Sequence, residues 1–517
     1  MREFAVAVLT AALLVPATPA MSQEDPPSVY DSVVIVPSEG TVLQWRDGRY
    51  AGILEVRGAG DGLVLTELVE PEDYLLGIQE VPFSWHSESL KAQAVAARTY
   101  LAWTLRRGRV GAGSTYGFDI CASDQCQVYG GVGQVEGPEG ERWAEAVRST
   151  EAEMLLSNGV PAQALYSSTS GGRTRSVEDV FGGDSIPYLQ AVPSPDERSP
   201  FVEWEVRFDV FQLREVLKAA GLIEGSFQNI RVIRTEDGDG PWLVDVEGSS
   251  KAQLTTWEFR SAVNRWAPRL YPDRFPGPRP DGRNFPQTIL SPTFAVDFEI
   301  VFPSFEPDAT WLGLEWVVRG NGWGHLVGMS QYGARAMAEA GATYDEILSH
   351  YYTGLEPQVS SILPDQIVVG LAWGSADLVI SADGPFTVIA DGRPVAEEVL
   401  GSWLFETAGR RIAANPPEGI GLPPTLAGLE PSTAFAGRAV TFTGTLSAPA
   451  EVRVVVFRGA EVVGTTEWRV RDAGTVVSVW DGIMRNRVAP AGIYRVMMEA
   501  RSAEGRDSVF STLQMLP

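Results

Sequence analysis

Cysteine is nearly absent from this chain. It has two, Cys121 and Cys126, among 517 residues. Outside the cytoplasm the default state of such a pair is a disulfide. Only four residues would lie inside the loop, so its entropic contribution would be modest. Histidine is equally sparse, with only His86, His325 and His350. Basic residues are few: 41 Lys and Arg face 66 Asp and Glu, for a net charge of -25. A phosphate-binding groove needs clustered cations, so nucleic acid is excluded as a partner. A neutral polymer such as a glycan is not, since its backbone carries little charge. Serine chemistry of the G-x-S-x-G kind has no motif here. The glycine-rich stretches have the wrong spacing for a Rossmann or P-loop phosphate site. No repeat of the solenoid type is present. Past the first 20 residues no apolar run is long enough to span a bilayer.

What is present begins with an export signal. Arg2 supplies a minimal charged region, residues 5–15 (AVAVLTAALLV) a short apolar one, and small residues near Ala20 two alternative cleavage sites. The expectation is a signal peptide over 1–22 and a secreted or cell-wall associated protein. A polar linker follows at 23–40. Short apolar runs alternating with turns between Trp45 and Tyr74 read as strands. Leu90, Ala94, Ala97, Leu101 and Leu105 then form one stripe at helical period, with Ser84 or Ser87 as candidate cap and Gly108 past the end. A helix is expected near 211–220, a Pro/Gly-rich loop over 271–287, and helices over 330–353 broken at Gly341. Thr343 and Glu346 fit a capping box for the second of these. Five prolines mark 413–434 as a linker. Beyond it, 435–517 is strand pattern throughout, which suggests a sandwich. Its WDG and APAGIYRV segments resemble an Ig-like module found in flagellar hook-cap proteins and in exported enzymes.

Four segments carry candidate chemistry: 74–100 (YLLGIQEVPFSWHSESLKAQAVAARTY), 118–131 (FDICASDQCQVYGG), 164–183 with 187–196 behind it (ALYSSTSGGRTRSVEDVFGG, PYLQAVPSPD), and 320–338 (GNGWGHLVGMSQYGARAMA). Glu80 sits among Ile78, Val81, Phe83 and Trp85. Such surroundings disfavour a charged carboxyl and raise its pKa, as a general acid requires. The bland alternative is a carboxylate satisfied by backbone N–H groups. Glu88, in a first helical turn, reads as dipole compensation. His325 lies in a loop whose glycines permit close approach to a ligand, or it is an ordinary turn residue. His350 reads as structural.

Together these segments resemble the stage II sporulation protein D family, also called the amidase-enhancer domain family. The match runs in order from about Tyr50 to Tyr352. The resemblance implies peptidoglycan as substrate. It implies a lytic transglycosylase that cleaves between N-acetylmuramic acid and N-acetylglucosamine without water, leaving 1,6-anhydro ends. The family's catalytic acid falls on Glu80. Arg98, Tyr166, Ser168, Gly172, Thr174, His325, Ser330, Gln331 and Tyr332 are the implied substrate contacts. Some members bind zinc near the CQVY segment. Here Gln125 stands where a histidine often does, so a Cys121–Cys126 disulfide is expected, with no metal and no cofactor. Leu326 replaces a usual glycine and is expected to add bulk beside His325.

The expected fold is α+β: a mixed, mostly antiparallel sheet domain over 41–412 with a long helix, then an all-β Ig-like sandwich over 435–517. The expected partners are glycan strands and an N-acetylmuramoyl-L-alanine amidase, with the protein itself a monomer. Two rival readings stand beside the enzyme. One is a non-catalytic glycan-binding enhancer of an amidase. The other is an adhesion protein built around the C-terminal sandwich.

Overall fold

The computed structural model describes residues 28–225, 227–234, 240–248, 251–279, 282–301, 313–417, 420–484, 487–503 and 505–517. The expected signal peptide and the first part of the linker lie outside them. The fold is α+β with a β-rich C-terminus. Contacts divide the chain into two units. Of the described residues, one comprises those within Ser32–Val388 and Glu398–Gly401; the other comprises 28–31 and those within Ile389–Glu397 and Ser402–Pro517. Among the described residues no helix is long and apolar enough to cross a membrane.

The larger unit is built on a sheet in which Ser32–Pro37, Ile53–Ala59, Gly62–Val69 and Ile367–Ser375 lie side by side, antiparallel. Ile120–Cys121 adds to the last of these in parallel. Alternation drives the pairing: Val33, Ile35, Leu54 and Val56 are fully buried, and the residues between them less so. The helix Ser87–Arg107 packs against the helices Gly137–Ser149, Gln331–Glu339 and Tyr344–Tyr351. Its cap is neither expected serine. His86 takes the position, its Nδ1 accepting the Glu88 N–H at 3.3 Å. Gly108 closes the helix with φ 78°. Nor is a single stripe buried. Leu90, Ala92 through Thr99, and Leu101 are all buried, because alanines let neighbours approach on several sides.

The described residues between 201 and 321 fold around a core of their own. The helices Val210–Ala219 and Thr256–Leu270 pack with antiparallel strands around Phe208, Val244, Val246, Phe259 and Val263. This lobe separates, along the chain, two loops that the fold brings back together. After it, Gln331–Glu339 and Tyr344–Tyr351 are helical, with Gly341 (φ 100°) between them. Thr343 and Glu346 form the capping box the sequence predicts.

In the other unit, the stretch read as a linker holds strands at Leu426–Pro431 and Ala434–Phe435. Two sheets, one of Leu426–Pro431, Val440–Leu446 and Gly474–Trp480, the other centred on Ala450–Arg458, Gly492–Arg501 and Arg506–Leu516, share one core. Phe442 and Trp480 from the first meet Val454, Tyr494 and Leu513 from the second.

Candidate active site

Glu80 is tied to the CQVYGG segment by a short ladder. The Gln79 N–H donates to the Val128 carbonyl at 2.8 Å, and the Val128 N–H donates to Glu80 Oε1 at 2.7 Å. Tyr166 and Gln331 also hydrogen-bond the carboxylate. Burial still dominates and raises the Glu80 pKa above the usual carboxylate range; those three hydrogen bonds oppose it and the charge of Asp124 adds to it. The residue nevertheless keeps partial exposure.

Its partners arrive from loops that flank the inserted lobe. Tyr166–Ser167 pairs in parallel with Met329–Ser330. Thr169 and Trp323 exchange backbone hydrogen bonds, and the Arg175 N–H donates to Leu326. Glycine is required where these chains touch. At Gly328 (φ 73°) a Cβ would stand 2.0 Å from the Leu165 carbonyl oxygen. Leu326 occupies the same kind of backbone, with φ 65°. Its side chain is 1% exposed, so it turns into the interior rather than adding bulk to a surface.

Behind Glu80 lies a polar chain that sequence reasoning missed. The Tyr74 hydroxyl donates to Gln127 Oε1 at 3.0 Å, and Gln127 Nε2 donates to the Tyr166 hydroxyl at 2.9 Å and to the Ala97 carbonyl at 3.3 Å. Gln127 is fully buried. Nothing local in CQVYGG marks it, because its value comes from a partner on another loop. On the far side, Gln331 Nε2 lies 3.4 Å from Gln93 Oε1.

Asp196 was missed as well. It is 1% exposed, and its carboxylate gathers the STSGG loop. Oδ2 accepts from the Ser170 N–H, the Ser170 hydroxyl (2.8 Å), the Gly171 N–H (3.2 Å) and the Ser330 hydroxyl (2.9 Å); Oδ1 accepts from the Gly172 N–H (2.7 Å). Burial would raise its pKa, but these hydrogen bonds outweigh it and hold the group below the usual range. Ser330 also caps the helix that begins at Gln331, accepting the Gly333 N–H at 3.2 Å.

The remaining candidates divide. Ser168 and Tyr332 are joined through backbone, the Tyr332 N–H donating to the Ser168 carbonyl at 3.0 Å, and the Tyr332 ring packs edge-on to Trp85. His325 stands behind Tyr166. Its Nδ1 accepts the Val327 N–H at 3.0 Å and the ring also bonds the Tyr166 backbone. Burial, with the charge of Arg260, pushes it down to about 4, so the ring is neutral and braces the loop. Arg98 is not brought to the site. It is fully buried, with Nε and Nη2 each 2.7 Å from the Glu72 carboxylate, Nη2 donating also to the Val147 carbonyl and Nη1 to the Thr150 hydroxyl and the Glu153 carbonyl. Thr174 is likewise buried and bonds Val192 in both directions. For these two, packing and satisfied donors replace a substrate contact. Glu88 accepts from Lys91 and from the Tyr344 N–H, and His350 Nε2 lies 2.7 Å from the Pro193 carbonyl.

Cys121 and Cys126 are disulfide-bonded, with Cα atoms 5.5 Å apart. Both sulfurs are therefore committed, and among the described residues no group of three or more His, Cys, Asp or Glu could hold a metal ion. The residues present do not fit a zinc site.

Residues 59–156 match the SpoIID family, described as Stage II sporulation protein. That stretch carries Glu80, the long helix and the disulfide, and ends before Tyr166, Asp196 and Gln331. Similarity to individual proteins extends further. The chain is 28% identical over 328 residues to an uncharacterized protein of Brachyspira hyodysenteriae, covering 62% of this chain and 76% of that one. It is 29% identical over 300 residues to the amidase enhancer of Bacillus subtilis, 53% of this chain but only 38% of that protein. It is 28% identical over 307 residues to Stage II sporulation protein D of Bacillus subtilis, 56% and 75% of the two lengths.

Proposed function

We propose that this protein is a peptidoglycan lytic transglycosylase, with Glu80 as its single acid and base. The observation that carries the reading is the Glu80 carboxyl itself: partly buried, raised in pKa, gripped by Val128, Tyr166 and Gln331, and still partly open to a ligand. Protonated Glu80 donates to the oxygen leaving the muramic C1. Charge develops on the ring as in other glycosidic cleavages. The resulting carboxylate is stabilised by the same three donors. It then takes the proton of the muramic C6 hydroxyl as that oxygen bonds to C1. One C–O bond breaks, one forms, and no water is consumed. Because the nucleophile belongs to the same sugar, a second carboxylate is unnecessary. Export by the N-terminal signal would bring the protein to this substrate.

Cleavage in water enriched in heavy oxygen tests the chemistry. Mass spectrometry should find anhydro-muramic ends without the label. Labelled reducing ends would make the protein a hydrolase.

The similarity to a protein named amidase enhancer favours one second reading, in which the site binds glycan and speeds a wall amidase without cutting. An enhancer yields no anhydro sugar alone, yet raises the rate of an added amidase. The C-terminal residues are proposed as an Ig-like spacer or docking module. The Tyr494 hydroxyl, which donates to the Pro490 carbonyl four residues back at 2.7 Å, is the kind of tyrosine corner such folds use.

A further inference from the structure

The long helix carries three side chains at i, i+3 and i+7, Tyr100, Trp103 and Arg107, along one face. The Tyr100 ring is 6.5 Å from that of Tyr166, whose hydroxyl holds Glu80, and near enough to Glu80 to feel its charge. Trp103 follows at 5.7 Å from Tyr100, and the Arg107 guanidinium lies over the indole at 4.7 Å. Both rings are only partly buried, on a helix whose other positions are largely enclosed. Arg107 is exposed and makes no ion pair among the described residues, in a chain with 66 acidic side chains. Position alone does not explain the pair of rings: helix-dipole compensation accounts for a last-turn arginine and equally for Arg106 beside it, but not for an aromatic ladder leading away from Glu80.

We infer that Tyr100, Trp103 and Arg107 form a sugar subsite adjoining Glu80, for a pyranose that bears a carboxylate. The C–H face of a pyranose packs on aromatic rings, and a guanidinium takes a carboxylate through two parallel hydrogen bonds. In a peptidoglycan strand the sugar with that substituent is muramic acid, whose lactyl carboxylate is free wherever no stem peptide is attached. The inference rests on the glycan reading of the Glu80 site and adds which residues read the strand beside it.

The test measures binding by calorimetry on full-length protein carrying Glu80→Gln, so that cleavage does not interfere. Two muramic acid–glucosamine oligosaccharides are compared, one with free lactyl carboxylates and one with these converted to methylamides. Arg107→Gln should weaken binding of the acidic strand about tenfold or more, the equivalent of one charge-assisted hydrogen bond, and leave the methylamide strand unchanged. Trp103→Ala should weaken both. Arg106→Gln, the same charge change one residue away, should alter neither. Arg107 is exposed at a helix end, so its variant folds even if Trp103→Ala does not. Affinities unaffected by Arg107→Gln, or reduced equally by Arg106→Gln, would overturn the subsite while leaving the glycan reading in place. A parent protein that binds neither strand would remove the glycan reading, and the subsite with it.

Discussion

Asp196→Ala would remove the acceptor for five hydrogen bonds at once: three backbone N–H groups of Ser170, Gly171 and Gly172, and the hydroxyls of Ser170 and Ser330. A hydrogen bond to a charged group contributes about 1.5–3 kcal/mol, but five on one carboxylate do not add, because water enters the space left. The expected loss is about 3–5 kcal/mol, as for breaking a buried charged contact from one side. Asp196→Asn keeps the shape and one acceptor oxygen and should lose about 1–3 kcal/mol. The pH dependence has a defined sign. The folded pKa is depressed, so the contribution is fully present above the unfolded value near 4 and is lost as pH falls through the folded one. Urea unfolding at a series of pH values reads both effects. Parent and Asn variant should converge in strongly acid solution and separate above about pH 4. Since Ser330 caps the helix bearing Gln331, glycan cleavage should fall with stability. An Ala variant within about 1 kcal/mol of the parent, or a gap independent of pH, would refute the argument.

Three further outcomes are expected. Glu67, fully buried against the Tyr129 hydroxyl and the Gly52 N–H, is pushed up to about 7 by burial. Folding therefore takes up a proton between the unfolded value and the folded one, and stability should fall by roughly 3 kcal/mol as pH rises through that interval; Glu67→Gln should flatten the curve, and an unchanged slope would contradict the assignment. Gly328→Ala should cost about 3 kcal/mol or more in thermal unfolding, because the new Cβ meets the Leu165 carbonyl and the backbone is left-handed. Arg98→Met should cost about 3–5 kcal/mol of stability, read as a lowered melting temperature, through the unpaired Glu72 and three abandoned acceptors on Thr150, Glu153 and Val147; normal melting with weakened glycan binding would restore Arg98 as a substrate contact.

What was legible in the sequence was local. The long helix with its Gly108 stop, the break at Gly341 and the Thr343–Glu346 capping box depend on neighbours a few residues apart, and the structure has them. The raised pKa expected of Glu80 from its apolar flanks also follows from burial in the fold. The rest depends on residues that meet only after folding. Gln127 and Asp196 are polar residues in loops, indistinguishable by pattern from solvent-facing ones, and their roles arise from Tyr166 and Ser330 far along the chain. Arg98 and Thr174 fail in the opposite direction. They lie in motif segments, yet their hydrogen-bonding groups are spent on the fold. The core gathered by residues 201–321 was hidden because its strands and helices alternate much as those of its host do.

The measurement that tests the central claim most directly is the mass spectrum of purified peptidoglycan after incubation with the protein and with Glu80→Gln, each with and without prior amidase treatment. The account predicts anhydro-muramic ends from the native protein and a loss of about a hundredfold or more in the variant, the usual contribution of a positioned acid. Equal yields from both, or no anhydro product from the native protein on either substrate, would contradict it.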